Sequence, residues 1–192
     1  MEAVYSPAED SWLLGDYLKK ENLSEKKCLD LGCGSGILAI AMLKAGAKEV
    51  LSIDVNESAL KETNINIDKF FDEYSKNKSL IVGHFVGAKK SDLFSAVNDK
   101  FDFISFNPPY VPSDEIKWRD LDGGKNGRIV IDRFISEVKN HLNPNGIVIL
   151  LISSLNDVNS VVSKFKNLGF SVSIESKKKL FFEELIILRA NI

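Results

Sequence analysis

Two kinds of segment alternate along the chain. "KKCLDLG" (26–32), "KEVLSIDVN" (48–56), "LIVGHFVG" (80–87), "FDFISF" (101–106) and "IVILLIS" (147–153) are short apolar runs with the length of strands. The last of these is continuously apolar, as expected for a strand covered on both faces. Between the runs, apolar residues recur at helical spacing. Trp12, Leu13, Tyr17 and Leu18 share one face, and similar patterns occupy 36–46, Ser58 to Phe70, 127–142 and a stretch near 156–168. Local punctuation agrees with these elements. Ser6 suits a cap, Pro7 the first helical position and Glu9 a capping box; Gly46 closes the second helix, and Pro144-Asn145-Gly146 breaks the fourth. Two final strands, "FSVSIES" and "LFFEELIILRA", follow without a helix between them and are expected to pair as a hairpin. The pattern predicts an α/β fold: a mostly parallel seven-stranded sheet, helices on both faces, and an antiparallel hairpin at the C-terminus.

Ligands of such sheets bind beyond the carboxyl ends of the strands. Asp30, Asp54, Asp92 and Asn107 each sit at or just past such an end. Composition narrows the chemistry. The 192 residues suit one domain, with 44% apolar residues for a core and 27% charged residues for the surface. A net charge of -2 argues against holding nucleic acid by charge alone. Cys28 and Cys33 have no accompanying His cluster, and His84 and His141 lack ligand spacing, so no metal site and no disulfide framework are expected. No apolar run approaches the ~20 residues of a membrane span, and "MEAVYSPAED" lacks the pattern of a signal peptide. These features describe a reduced, cytoplasmic protein with no membrane partner.

The loop after the first strand, "LDLGCGSG", carries Gly32, Gly34 and Gly36. Glycines there permit a tight turn and close approach of a ligand to the backbone. A dinucleotide fingerprint would require glycine at position 37, where this chain has Ile37. Asp30, just before the loop, would repel a pyrophosphate and attract a cation. Asp54 falls roughly where an acid takes ribose hydroxyls, ~20 residues downstream. A ribose without phosphates, joined to a positive group, describes S-adenosylmethionine. Asp92, after the third strand, is placed to accept from the adenine amino group.

The fourth strand ends in Asn107-Pro108-Pro109-Tyr110. Each residue before a proline is pushed into extended conformation, and the prolines donate no hydrogen bond. The corner is stiff, with the Asn107 side-chain oxygen and the Pro108 carbonyl both available as acceptors. Two fixed acceptors can grip both N–H bonds of one planar NH2 group, orient it, and favour pyramidalisation of a nitrogen whose lone pair is otherwise conjugated. Tyr110 offers a flat face for the planar group.

The corner together with "LDLGCGSG" resembles the amino-group N-methyltransferases that use S-adenosylmethionine. "VYSPAEDSWLL" (4–14), "FNPPYVP" (106–112) and "DGGKNGRIVIDRF" (122–134) are similar to the eukaryotic and archaeal branch of HemK-like release-factor glutamine methyltransferases. The resemblance implies a single Rossmann-like class I methyltransferase domain over 1–192, with residues 1–25 as an N-terminal helical lid. It implies N5-methylation of the glutamine in the Gly-Gly-Gln loop of a class I termination factor. Asn107, Pro108, Pro109 and Tyr110 would hold the acceptor. Asp54, with Val55 beside it, would hold the ribose, Asp92 and Leu93 the adenine, and Asp30 and Gly32, with Gly34 of the same loop, the methionine portion. Asn107 would border the cofactor as well. Ser11 would reach the methionine carboxylate in place of the relatives' Thr. A small zinc-binding activator subunit is a frequent partner. Bacterial relatives carry an extra N-terminal helical domain, which this chain, starting nearly at the catalytic fold, is expected to lack. Relatives usually have Trp-Ala-Gly-Gly where this chain has Leu121-Asp122-Gly123-Gly124.

Independently of the family, "LIVGHFVG" reads as an apolar strand at a sheet edge, which a partner could cover by strand pairing. Residues 113–127 are too long and polar for a simple connection and read as a substrate-facing loop with Trp118, Arg119 and Lys125 as contacts. Lys177 to Lys179 reads as a solvated turn. From the residues alone, rival functions remain: amino methylation of adenine or cytosine in nucleic acid, lysine methylation, or a methyl-donor-binding scaffold without catalysis.

Overall fold

The computed structural model describes residues 4–76, 84–115 and 121–192. Its strands are β1 Lys27–Leu31, β2 Glu49–Asp54, β3 His84–Lys90, β4 Phe101–Phe106, β5 Leu142–Ser153, β6 Ser171–Lys179 and β7 Glu184–Asn191. They form one sheet in the order β3-β2-β1-β4-β5-β7-β6. The first five run parallel, and β7 is antiparallel to both β5 and β6. From β1 the chain builds outward through β2 to β3, then returns to add β4 on β1's other side. The order therefore reverses between β1 and β4, and their carboxyl ends frame a crevice.

Among the described residues, five α-helices cover the sheet: α1 Glu9–Leu18, α2 Ile37–Lys44 and α3 Glu57–Lys76 on one face, α4 Ile129–Val138 and α5 Val158–Asn167 on the other. β5 shows why its sequence is continuously apolar. Val148, Leu150 and Ile152 pack under α4 and α5, while Ile149 and Leu151 pack under α1 and α2.

Several boundaries differ from expectation. α1 starts at Glu9: its first main-chain bond runs from Trp12 N to the Ala8 carbonyl, 3.0 Å, and no side chain caps it, so Ser6 is not the cap. Ser11, Leu14, Gly15 and Leu18 form the inner stripe, and Trp12 is turned out, 51% exposed. α3 continues to Lys76 because Phe70, Phe71 and Tyr74 pack ring against ring over its last turns. α4 ends at Val138, before the proline break, and Pro144-Asn145-Gly146 instead forms an irregularity inside β5, where Asn145 takes φ 60°. β3 lies at the sheet edge as expected, but it runs on to Lys90, and residues 80–83 of the expected strand lie outside the described residues. Lys177, Lys178 and Lys179 are not a turn: they pair with Ile186, Leu185 and Glu184 in β6. That strand is the other sheet edge, where charged side chains are well placed against stray strand pairing.

Candidate active site

A cavity of about 410 Å³ opens where the strand order reverses. Its wall brings together Ser11, Gly32, Gly34, Asp54, Val55, Asp92, Leu93, Asn107, Pro108, Pro109 and Tyr110. These residues come from separate parts of the chain and meet because each follows, or packs against, a strand's carboxyl end. Asp30 is not among the lining residues.

The glycine loop is tied down from beneath. Gly32 N and Cys33 N both donate to the Ile53 carbonyl at the end of β2, 2.8 and 3.0 Å away. Gly34 has φ 52°, and a Cβ there would meet no atom within 4 Å; it would stand in the open cavity. The bare backbone thus leaves room for a ligand to lie against the loop. Asp54 faces this backbone and accepts from Gly34 N at 3.0 Å and Asn56 N at 2.8 Å. Desolvation raises its carboxyl above the ordinary range, while those backbone donors pull it back. Each carboxylate oxygen retains capacity for a further donor.

Asp30 is fully buried. Its Oδ2 accepts from Ala39 N at 3.1 Å, at the start of α2, and its Oδ1 has no partner. Burial pushes its carboxyl up to about 7. It stands behind the glycine loop and is not a wall residue.

At the far side, Ser91 Oγ accepts from Ala96 N and donates to the Leu93 carbonyl, shaping a turn in which Leu93 takes φ 47° and is buried. The Asp92 carboxylate accepts from the Arg133 guanidinium of α4 at 3.1 Å.

The corner after β4 supplies the decisive geometry. Asn107 Nδ2 donates to Asp10 Oδ2 at 3.0 Å. A carboxylate only accepts, so the NH2 end of Asn107 must face Asp10 and the carbonyl end must face away. That carbonyl oxygen, Oδ1, is buried and has no partner. Asp10 is held in turn: its Oδ1 accepts from Ser11 N (2.6 Å), Ser11 Oγ (3.2 Å) and Tyr5 Oη (3.1 Å). The Tyr110 phenol is pushed well above its usual range by burial first and by the Asp10 charge second. Behind the corner, the buried Asn156 donates through Nδ2 to the Tyr110 carbonyl (2.7 Å) and the Gly127 carbonyl (3.2 Å), and its Oδ1 accepts from Ser153 N (2.7 Å). Gly127 has no room for a side chain, since a Cβ there would lie 2.1 Å from the Tyr110 carbonyl oxygen.

Leu121 and Asp122, from the expected substrate loop, line the cavity. Lys125 is exposed, and Trp118 and Arg119 lie outside the described residues. Sequence reasoning missed Tyr5, Asp10, Arg133 and Asn156. An acid in the first turn of a helix reads as a partner for the helix end, which hid Asp10. Asn156 follows the end of β5, so the strand-end rule that found Asn107 would also have found it.

The family model described as methyltransferase small domain matches residues 7–179. A Methanocaldococcus jannaschii protein named as a protein N5-glutamine methyltransferase is 40% identical, across 97% of this chain and 91% of its own. The eRF1 methyltransferase catalytic subunit mtq2 of Schizosaccharomyces pombe is 29% identical, across 97% of this chain and 88% of its own. The E. cuniculi Mtq2 structure, solved as a complex with Trm112 and described as responsible for methylation of the eRF1 termination factor, superposes with a TM-score of 0.76 at 28% identity over 98% of both chains. The chain belongs to the methyltransferase small domain family and, within it, to the HemK-like protein-glutamine methyltransferases.

Proposed function

We propose that this protein transfers a methyl group from S-adenosylmethionine to the side-chain nitrogen of the glutamine in the Gly-Gly-Gln loop of a class I termination factor. The observation that carries the reading is that Asn107 lines the cavity while its Oδ1 is a buried acceptor with no partner of its own. A buried polar atom left unpaired costs about 1–3 kcal/mol, so such a group is expected to be completed by a ligand.

The residues present fit the methyl donor. The open backbone at Gly34 and the carboxylate of Asp54 opposite it favour a neutral ribose over a phosphate. Asp54 and Val55 would hold the ribose, Asp92 and Leu93 the adenine end, and Ser11 with the glycine loop the methionine end. When bound, S-adenosylmethionine supplies an electrophilic methyl group on its sulfonium.

The protein's own part is to present the nitrogen. Asn107 Oδ1 and the Pro108 carbonyl accept the two N–H bonds of the glutamine amide and set its orientation. Tyr110 packs against the amide plane. Asp10 keeps the Asn107 amide from turning over, which would replace the acceptor by a donor. Holding the nitrogen in line contributes as proximity does in other bimolecular reactions, up to ~7–11 kcal/mol in favourable cases. No base need act before attack, because the alkylated nitrogen is acidic and loses its proton afterwards. The segment expected as a lid contributes Val4, Tyr5, Asp10 and Ser11 to the wall, so closing it over the cavity would complete the acceptor site.

A small activator subunit would pair with the outer edge of β3, where Val86 is 52% exposed. The E. cuniculi relative, solved with Trm112, supports this assignment; zinc in that subunit is the family expectation. Among the described residues no helix is long and apolar enough to cross a membrane, and a termination factor as substrate would place the reaction in the cytoplasm. Radiolabelled methyl transfer to a whole termination factor and to its Gln→Ala variant, with and without the candidate activator, tests the proposal. Label on the wild-type factor alone is expected; equal label on both factors would refute it.

A further inference from the structure

The turn between β6 and β7 carries Phe181 and Phe182, 92% and 86% exposed. Their rings meet edge to face, with centroids 4.6 Å apart. Two exposed phenylalanines present roughly 300–500 Å² of mostly apolar surface, the scale at which an exposed patch on a soluble protein is commonly functional. The turn under them is firmly built. Leu180 N donates to the Glu183 carbonyl at 2.8 Å and closes it. Leu180 packs into the same core cluster as Leu14 and Leu185, and Tyr110 packs against that cluster too. Glu184 N donates to Ser154 Oγ at 3.0 Å, and Lys177 pairs with Glu184 at 3.1 Å. The pair is thus held outward while its base is fixed.

The turn also stands beside the cavity. Leu185 pairs with Ser153 at the carboxyl end of β5, so the turn lies at the end of the sheet where the cavity opens; there burial first, and the Glu183 charge after it, raise the phenols of Tyr5 and Tyr110 in the cavity wall. A glutamine side chain reaches only roughly 5 Å from its backbone. The backbone that presents it must therefore rest on the mouth, and the fold around that backbone must lie over whatever borders the mouth.

We propose that Phe181 and Phe182 form a docking anchor for the folded body of the protein substrate, beside the catalytic mouth. The proposal rests on the glutamine-methylation reading and adds a contact outside the cavity. Rigid aromatic side chains lose little conformational freedom on contact and are frequent anchors of protein interfaces. A short glutamine peptide has no folded body to rest on them and would not use them.

The test compares wild type with a Phe181→Ser/Phe182→Ser variant on two acceptors: the whole termination factor and a short peptide bearing Gly-Gly-Gln. We expect KM for the whole factor to rise about tenfold or more, with kcat, peptide kinetics and cofactor Kd unchanged. A Phe181→Leu/Phe182→Leu variant, which keeps an apolar tip, should recover much of the loss. Unchanged peptide kinetics show that the Ser variant is folded. Equal KM values for the whole factor would overturn the docking anchor alone. No transfer by wild type to either acceptor, with the candidate activator present, would overturn the glutamine reading and this proposal with it. Sedimentation with anionic phosphatidylserine vesicles that depends on the two rings, or their loss abolishing self-association, with KM unchanged, would assign the patch to a membrane or a second copy and refute the substrate contact.

Discussion

Replacing Asp10 by asparagine keeps the shape of the side chain and changes only what it can offer. Its Oδ1 position faces three donors, Ser11 N, Ser11 Oγ and Tyr5 Oη. The new carbonyl oxygen will therefore stay on that side, and the new NH2 will turn toward Asn107. Two NH2 groups would then face each other where a 3.0 Å hydrogen bond now lies. Asn107 can relieve the clash by turning its amide over, which puts NH2 where Oδ1 now stands and removes one of the two acceptors for the substrate amide. A hydrogen bond to a charged group is worth ~1.5–3 kcal/mol. At 1.36 kcal/mol per tenfold in rate, kcat for methyl transfer should fall ~10–150-fold. Cofactor Kd should stay within about twofold, since the change is on the acceptor side. Single-turnover transfer and calorimetric titration of S-adenosylmethionine read the two quantities separately. A variant with kcat within about threefold of wild type would show that Asp10 does not set the orientation of Asn107.

Other substitutions probe other walls of the site. Asp54→Ala should weaken S-adenosylmethionine by ~1–3 kcal/mol in calorimetry; an unchanged Kd would remove Asp54 from the ribose site. Asn156→Ala leaves the Tyr110 carbonyl and Ser153 N without their partner, so urea denaturation should show a loss of about 1–3 kcal/mol for each group left unpaired. Asp30 gives a pH signature. Unfolded, it releases its proton near 3.8; folded, it holds it up to about 7. Between those values the unfolded state binds fewer protons, so this group lowers stability as pH rises and adds nothing further above about 7. Asp30→Asn should therefore gain stability relative to wild type from pH 4 to 7, up to about 4 kcal/mol, and then run parallel to it. A constant difference across that window in cofactor-free denaturation would contradict the buried, protonated state.

Much of this architecture is legible in the chain because its central strands are buried on both faces. Continuous apolar runs such as 147–153 are hard to mistake, and the strand-end rule placed Asp54, Asp92 and Asn107 around one cavity before their contacts were known. What escaped detection was set by tertiary contact. Trp12 faces out because the stripe of Ser11, Leu14, Gly15 and Leu18 is the one that packs inward, and the apolar residues of α1 alone do not single out that stripe. Lys177 to Lys179 looks like a turn locally, yet pairing with β7 makes it a strand. Asp10 and Asn107 lie 97 residues apart, and no local pattern links an acid in a first helical turn to an amide after a distant strand. The same holds for Asn156 and the Tyr110 carbonyl.

The central claim is that Asn107 holds the substrate nitrogen through its side-chain oxygen. Asn107→Ala, assayed for methyl transfer to the whole termination factor beside calorimetric titration of S-adenosylmethionine, tests it most directly. Transfer should fall by about 10²–10³ or more, as when one preorganised polar contact is removed from an active site, while cofactor Kd stays near that of wild type. Retained turnover, or a loss of cofactor affinity equal to the loss of rate, would contradict the account.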